Sequence, residues 1–229
     1  MFVTAIVPAA GAGKRFGAPK QFLPLDGVPL LARTLLALLR SEVITSFVIV
    51  VPPGQETLCR EIVARFLTSV EAEVVGGGAE RQESVYCGLM RVKSTTDLVV
   101  VHDGVRPFVP PELLCTCLKE AELWGAAVAA VPAKETLKQV DGEGFVTGTP
   151  ERRTLWIAQT PQAFCYDLII KAHWLARVER FVGTDDAVLV ERLGARVKVV
   201  LGSYDNIKIT TPQDLFLAEQ LLRQGVFRL

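Results

Sequence analysis

Short runs of apolar, largely β-branched residues recur along this chain and constrain its fold more than any other feature. Residues 3–7, 47–51, 72–75, 98–101, 126–131 and 197–201 are each of strand length, and each is apolar enough to be covered on both faces. Between them, apolar residues return every three or four positions: Leu31, Leu35, Leu38 and Leu39, then Leu58, Ile62 and Phe66, then Leu114, Leu118 and Leu123. Alternation of the two periods predicts an α/β fold, a Rossmann-like, mostly parallel sheet flanked by helices. Thr211-Pro212-Gln213-Asp214 has the form of a capping box with proline at the first helical position. It starts a last helix through Leu215, Ala218, Leu221 and Leu222.

Residues 134–153 break this rhythm. Asp141-Gly142-Glu143-Gly144 reads as a turn, flanked by Leu137-Lys138-Gln139-Val140 and Phe145-Val146-Thr147, which makes a β-hairpin inserted into the α/β body. A lone hairpin is marginal in water, so it is either an ordinary surface feature or an arm that packs on another subunit. No repeat, low-complexity tract or linker interrupts the sequence. The expectation is one domain over 1–229 with an arm at about 134–153.

Composition narrows the function. With 25 Lys+Arg against 25 Asp+Glu there is no uniformly basic surface for nucleic acid or anionic lipid, so any anion must be held locally. Charge-free stretches such as 1–13 and 154–166 fall short of the roughly 18 to 20 apolar residues of a membrane-spanning helix. The first has no cation before its apolar part and is interrupted by Pro8, which suits a buried strand and not a secretion signal. Cys59, Cys87, Cys115, Cys117 and Cys165 are scattered in a way that fits neither a disulfide framework nor a zinc knuckle, as expected for reduced thiols in a cytosolic protein.

The strongest local signal is Pro8-Ala9-Ala10-Gly11-Ala12-Gly13-Lys14-Arg15-Phe16, directly after the first strand and followed by Pro19-Lys20-Gln21. Small residues let backbone amides approach phosphates closely. It is not the dinucleotide fingerprint, since Phe16 stands at the third glycine position and no acid ends the second strand. Nor is it a Walker loop, because Arg15 follows Lys14 and Pro8 stands where that motif has its first glycine. Lys14, Arg15 and Lys20 crowded into one loop of a charge-neutral chain either form a solvated turn or gather at a triphosphate, where cations stabilise charge that develops during phosphoryl transfer.

Leu98-Val99-Val100-Val101-His102-Asp103 places a carboxylate at the carboxyl end of a strand, where open α/β sheets bind ligands. Asp103 either caps the next turn or binds Mg²⁺ against nucleotide phosphates, since that ion takes only one or two protein carboxylates. Arg106 follows within reach of a second phosphate. His102 reads as a packed histidine. Gly76-Gly77-Gly78 leads into a helix near Glu80-Arg81-Gln82-Glu83-Ser84, and is either a flexible loop with a solvent-facing Ser84 or a close approach to a base or ribose.

Taken in order, these blocks resemble the 2-C-methyl-D-erythritol 4-phosphate cytidylyltransferases of the non-mevalonate isoprenoid pathway. To the segments above, the likeness adds Arg106-Pro107, Leu155-Trp156 with Thr160-Pro161-Gln162, Thr184-Asp185-Asp186, and Asp205-Asn206-Ile207-Lys208. The resemblance implies that Arg15 and Lys20 stabilise the transition state, while Arg152 and Lys208 position the acceptor's phosphate. It implies that Ala9, Ala10, Gly11, Ala12, Gly13, Lys20, Gly78 and Ser84 contact CTP, and that Asp103 binds Mg²⁺. Asp103, Arg106, Thr136, Arg152, Thr160, Thr184 and Lys208 would line the acceptor side. It further implies a homodimer in which the arm brings Thr136 and Arg152 to the partner's site. Ala79 stands where the family often has an acid, and Gly104-Val105 replaces its usual small pair. A cytidylyltransferase for another polyol phosphate such as ribitol 5-phosphate, and a non-catalytic nucleotide-binding regulatory subunit, are the alternatives.

Overall fold

The computed structural model describes residues 1–11, 13, 16, 17 and 19–225. Its central sheet is built from β1 (Val3–Pro8), β2 (Ser46–Val51), β3 (Glu71–Gly76), β4 (Leu98–Val101), β5 (Ala126–Pro132), β6 (Trp156–Cys165) and β7 (Lys198–Leu201). Their spatial order is β7-β5-β6-β4-β1-β2-β3, and every neighbouring pair is parallel except those made by β6, which runs antiparallel to both β4 and β5. The helices are α1 (Leu30–Leu39), α2 (Glu56–Phe66), α3 (Arg81–Leu89), α4 (Pro111–Trp124), α5 (Tyr166–Val178), α6 (Ala187–Glu191) and α7 (Pro212–Arg223).

Successive strand side chains point to opposite faces, which divides the core in two. Val3, Ala5 and Val7 pack with Leu31, Leu35, Leu114 and Leu118 of α1 and α4, while Ile6 and Val101 pack with Val85, Leu89, Ile169 and Leu189 of α3, α5 and α6. A smaller cluster of Leu25, Leu30, Phe108, Ile209, Ala218 and Leu221 seats α7 beside the start of α1. Among the described residues, no helix is long and apolar enough to cross a membrane. All the cysteines are free thiols.

Three features differ from the sequence reading. The strand β6 was not expected, because Pro161 and the polar Gln159, Thr160 and Gln162 argue against a central strand. Its ladder to β5 shifts register between Ala158 and Gln162, so Pro161 falls in a bulge where no ladder donor is needed. The outer strands β3 and β7 are not covered on both faces: Glu71 and Glu73 are exposed on one edge, and Lys198, Val199 and Leu201 on the other. Leu123 and Leu58 are also exposed. Leu123 is out of phase with the buried Leu114, Leu118 and Ala121, and α2 buries Cys59, Ile62 and Val63 instead of Leu58.

The arm is an antiparallel pair, Gln139–Val140 with Val146–Gly148. Asp141 closes the turn: its Oδ1 accepts from the backbone N–H of Glu143 at 3.0 Å and of Phe145 at 2.9 Å. Leu137, Val140, Phe145 and Val146 all lie exposed, so the arm shares no core with the sheet.

Candidate active site

Backbone hydrogen bonds continue past the ends of β1, β3 and β4 and lock the following loops together. Ala9 N–H donates to Val50 O at 2.7 Å, Gly77 N–H to Val51 O at 2.8 Å, and Gly104 N–H to Pro8 O at 3.1 Å. A Cβ on Gly77 would stand 2.6 Å from Ala10 Cβ and 2.7 Å from Ser84 Oγ, so only glycine allows the two glycine-rich loops to touch. Between them lies a cavity of about 470 Å³ at the carboxyl end of the parallel strands. Ala9, Ala10 and Gly11 border it from the first loop, and Gly78 and Ser84 from the second; Lys20, Glu80, Arg81, Asp103 and Lys208 make up the charged part of its lining. Ser84 is buried and donates to Glu80 O at 3.0 Å, so it does not face solvent. Gln21 also borders the cavity, buried, with its side-chain Nε2 lacking a partner in the protein.

Asp103 is the electrostatic centre. Its Oδ1 accepts from Arg81 Nε at 3.0 Å, while Oδ2 lies 2.9 Å from Lys208 Nζ and 3.5 Å from Arg106 Nε. Burial alone would raise this carboxyl's pKa, but Arg81, Lys208 and Arg106 override it and hold the group well below the usual carboxylate range. Asp103 is therefore ionised throughout the physiological range. Its backbone N–H donates to Thr160 Oγ1 at 3.0 Å. The bulge in β6 thus serves the site directly: Thr160 O and Gln159 Oε1 accept from Asn206 Nδ2 at 2.8 and 3.2 Å, anchoring the segment that carries Lys208.

His102 is fully buried, with Nε2 donating to Arg106 O at 3.0 Å, and burial lowers its pKa to about 4. It is a neutral, packed histidine. The sequence reading gave no role to Arg81 or Asp186. Arg81 Nη1 lies 2.7 Å from Asp186 Oδ2, and Asp186 Oδ1 lies 3.0 Å from His173 Nε2.

The remaining expected residues fall in three places. Arg106 and Thr160 contact Asp103 from behind the cavity lining. Thr184 is exposed on the loop before α6, next to Asp185, whose Oδ2 accepts from Gln162 Nε2 at 2.9 Å. Thr136 and Arg152 are exposed on the arm, where Arg152 Nη1 donates to Lys134 O at 2.8 Å, and neither borders this chain's own cavity. Gly13 continues the first loop at φ +63°, whereas Ala12 and Arg15 lie outside the described residues.

Among the described residues, no cluster of three or more His, Cys, Asp or Glu side chains could hold a metal ion. The carboxylates that border this cavity are Glu80 and the ionised Asp103. That donor set fits Mg²⁺, which completes its octahedron with water and phosphate oxygens, and does not fit a closed zinc site.

The sequence pattern of the 2-C-methyl-D-erythritol 4-phosphate cytidylyltransferase family matches residues 3–224. The chain belongs to that family. The cytidylyltransferase of Geobacter metallireducens is 50% identical over 98% of this chain and 99% of its own, and that of Desulforamulus reducens is 48% identical over 97% and 96%. Among solved structures, 4-diphosphocytidyl-2C-methyl-D-erythritol synthase from Anaerococcus prevotii superposes with a TM-score of 0.88 at 32% identity, covering 97% of this chain and 96% of that one. The Thermus thermophilus cytidylyltransferase gives 0.81 at 37% identity, covering 97% and 100%. The family likeness spans the glycine loop, the arm and the Lys208 segment alike, and not the nucleotide loop alone.

Proposed function

We propose that this chain transfers the cytidylyl group of CTP to 2-C-methyl-D-erythritol 4-phosphate, giving 4-diphosphocytidyl-2-C-methyl-D-erythritol and pyrophosphate in cytosolic isoprenoid synthesis by the non-mevalonate route. The observation that carries this reading is the meeting of small-residue loops, Lys20, Asp103 and Lys208 around one cavity, in a member of this family.

The acceptor is a phosphate monoester, anionic near neutral pH, so its oxygen attacks the α-phosphorus of CTP without a base removing a proton from an alcohol. The bond from the α-phosphorus to the β-bridging oxygen breaks, and its electron pair leaves with pyrophosphate. The site agrees: its nearest histidine is neutral and its Nε2 proton is engaged by Arg106 O. Ala9, Ala10, Gly11, Gly78 and Ser84 hold the nucleotide by close backbone approach, and Lys20 with Arg15 offsets charge that develops at the α-phosphate. Lys208 orients the acceptor phosphate, joined by Arg152 of a second copy. Arg106, Thr160 and Thr184, with Thr136 from the arm, serve the methylerythritol side. Asp103 would hold Mg²⁺, which would supply charge neutralisation at the phosphates. A homodimer joined through the arms would cover their exposed apolar residues.

Pyrophosphate release with CTP, UTP and ATP, each against methylerythritol 4-phosphate and ribitol 5-phosphate in the presence of Mg²⁺, tests the reading. Release with CTP and methylerythritol phosphate alone is expected. Release with ribitol phosphate would overturn the acceptor, and CTP binding without release from any pair would overturn the catalytic reading.

A further inference from the structure

Arg81 stands between two carboxylates that do different work. It bonds Asp103 through Nε and Asp186 through Nη1, while its side chain keeps 29% exposure against 7% for Asp103 and 1% for Asp186. Asp186 is itself immobilised: its second oxygen meets His173 Nε2 at 3.0 Å, and the Tyr86 ring stacks on His173 with centroids 6.5 Å apart. The loop that carries Asp186 is tied down from two further sides. Gln82, the neighbour of Arg81 on α3, donates to Phe181 O at 3.0 Å and accepts from Gly183 N–H at 2.8 Å. Gln162 of β6 donates to Asp185 Oδ2 at 2.9 Å and accepts from Ala187 N–H at 3.1 Å.

Asp103 is bonded on both oxygens, so what distinguishes its three cations is how firmly each is itself held. Lys208 is a point charge on a flexible stem, and Arg106, although its Nη1 donates to Asn206 O at 2.7 Å, reaches Oδ2 only at 3.5 Å. Arg81 has a planar fork locked at its far edge. We infer that Arg81, clamped by the buried Asp186–His173 pair, is a positioning residue that fixes Asp103 through Oδ1 and thereby holds this carboxylate in place for the nucleotide-bound metal ion. This rests on the cytidylyltransferase reading for the metal, and goes beyond it in assigning roles to Arg81, Asp186 and His173. Burial opposes ionisation at Asp186, but Arg81 and His173 outweigh it and hold the carboxyl below its ordinary value, so the clamp stays charged. Buried ion pairs are weak evidence for stability by themselves, so a plain structural staple is the competing account.

Metal occupancy separates the two. Mn²⁺, an oxygen-seeking substitute for Mg²⁺, is titrated into the full chain with CTP and no acceptor, and free Mn²⁺ is read by electron paramagnetic resonance. Arg81→Gln is expected to weaken Mn²⁺ binding by about 10- to 100-fold, the usual loss when the partner of a metal ligand is removed. Arg81→Lys, which can reach one carboxylate but not bridge both, should lose less, and half-saturating Mg²⁺ for turnover should rise by a similar factor in each variant. CTP binding in EDTA should be nearly unchanged. Asp186→Asn should follow Arg81→Gln; where it does not fold, Arg81→Lys, at the half-exposed end of the clamp, carries the test. Unchanged Mn²⁺ affinity in folded Arg81 variants, with only a lowered melting temperature, would establish the staple and overturn the inference. Loss of CTP affinity in EDTA as large as the loss for Mn²⁺ would make Arg81 a nucleotide ligand and overturn it equally. Parent protein that binds CTP but takes up no Mn²⁺ overturns the inference and its metal reading together, and is seen before any substitution is made.

Discussion

At the scale of single residues, the site is organised by charge and not by an acid–base pair. Asp103 is neutralised by Arg81, Lys208 and Arg106, and Lys20 stands on the same cavity lining. Removing one preorganised cation from a transferring phosphoryl group costs about 10²-fold or more in rate. Lys20→Ala should therefore lower turnover by at least that factor with an unchanged circular dichroism spectrum; near-normal turnover would remove Lys20 from the mechanism. The residues legible in the sequence were those attached to strand ends: the small-residue loop after β1 and Asp103 after β4 lie where an α/β sheet opens. Arg81 and Asp186 were not legible, because a charged residue at a helix start reads as solvated and its partner lies 105 positions away. Ser84 illustrates the same limit, since only the close approach of Gly77 to Ala10 shows that its hydroxyl is buried beside the cavity.

At the scale of elements, α7 supports the segment that carries Lys208. Ala218 and Leu221 pack with Ile209, whose N–H donates to Val105 O at 3.0 Å, and the helix begins on a complete capping box. Asp214 Oδ2 accepts from Thr210 N–H, Thr210 Oγ1 and Thr211 N–H at 2.8, 2.9 and 2.8 Å. Burial alone would raise this carboxyl, but those bonds outweigh it and hold it below its ordinary value. The folded value being the lower, the contribution is complete above the ordinary carboxylate range, about pH 4, and is lost as pH falls through the folded value. Asp214→Ala should lower the unfolding free energy by about 1 kcal/mol at neutral pH. Urea unfolding should show that difference shrinking in acid; an equal difference at both pH values would contradict the cap. The capping box could be read directly from Thr211-Pro212-Gln213-Asp214, and the uniformly apolar strands could be read from their runs. The strand β6 could not, because its polar residues and Pro161 are placed by a bulge that serves Asp103 and Asn206, a tertiary demand that local propensity does not record.

At the scale of the molecule, the arm sets what one chain lacks. Phe145 and Val146 are 68% and 59% exposed, and Arg152 and Thr136 lie away from the cavity of their own chain. If each site is completed by the partner's arm, Arg152→Ala and Lys208→Ala proteins, each nearly inactive, should regain activity on mixing and re-equilibration. Random pairing restores one site in each heterodimer, about a quarter of the parent rate; no recovery from a mixture shown to exchange subunits would place Arg152 outside the site. The central claim is that the chain moves a cytidylyl group and does not merely bind or hydrolyse the nucleotide. It is tested most directly by incubating the protein with Mg²⁺, methylerythritol 4-phosphate and CTP labelled at the α-phosphate, then separating the products. The account predicts that the label moves into the cytidylylated acceptor in step with pyrophosphate release; label that stays in CTP, or emerges as free CMP, would contradict it.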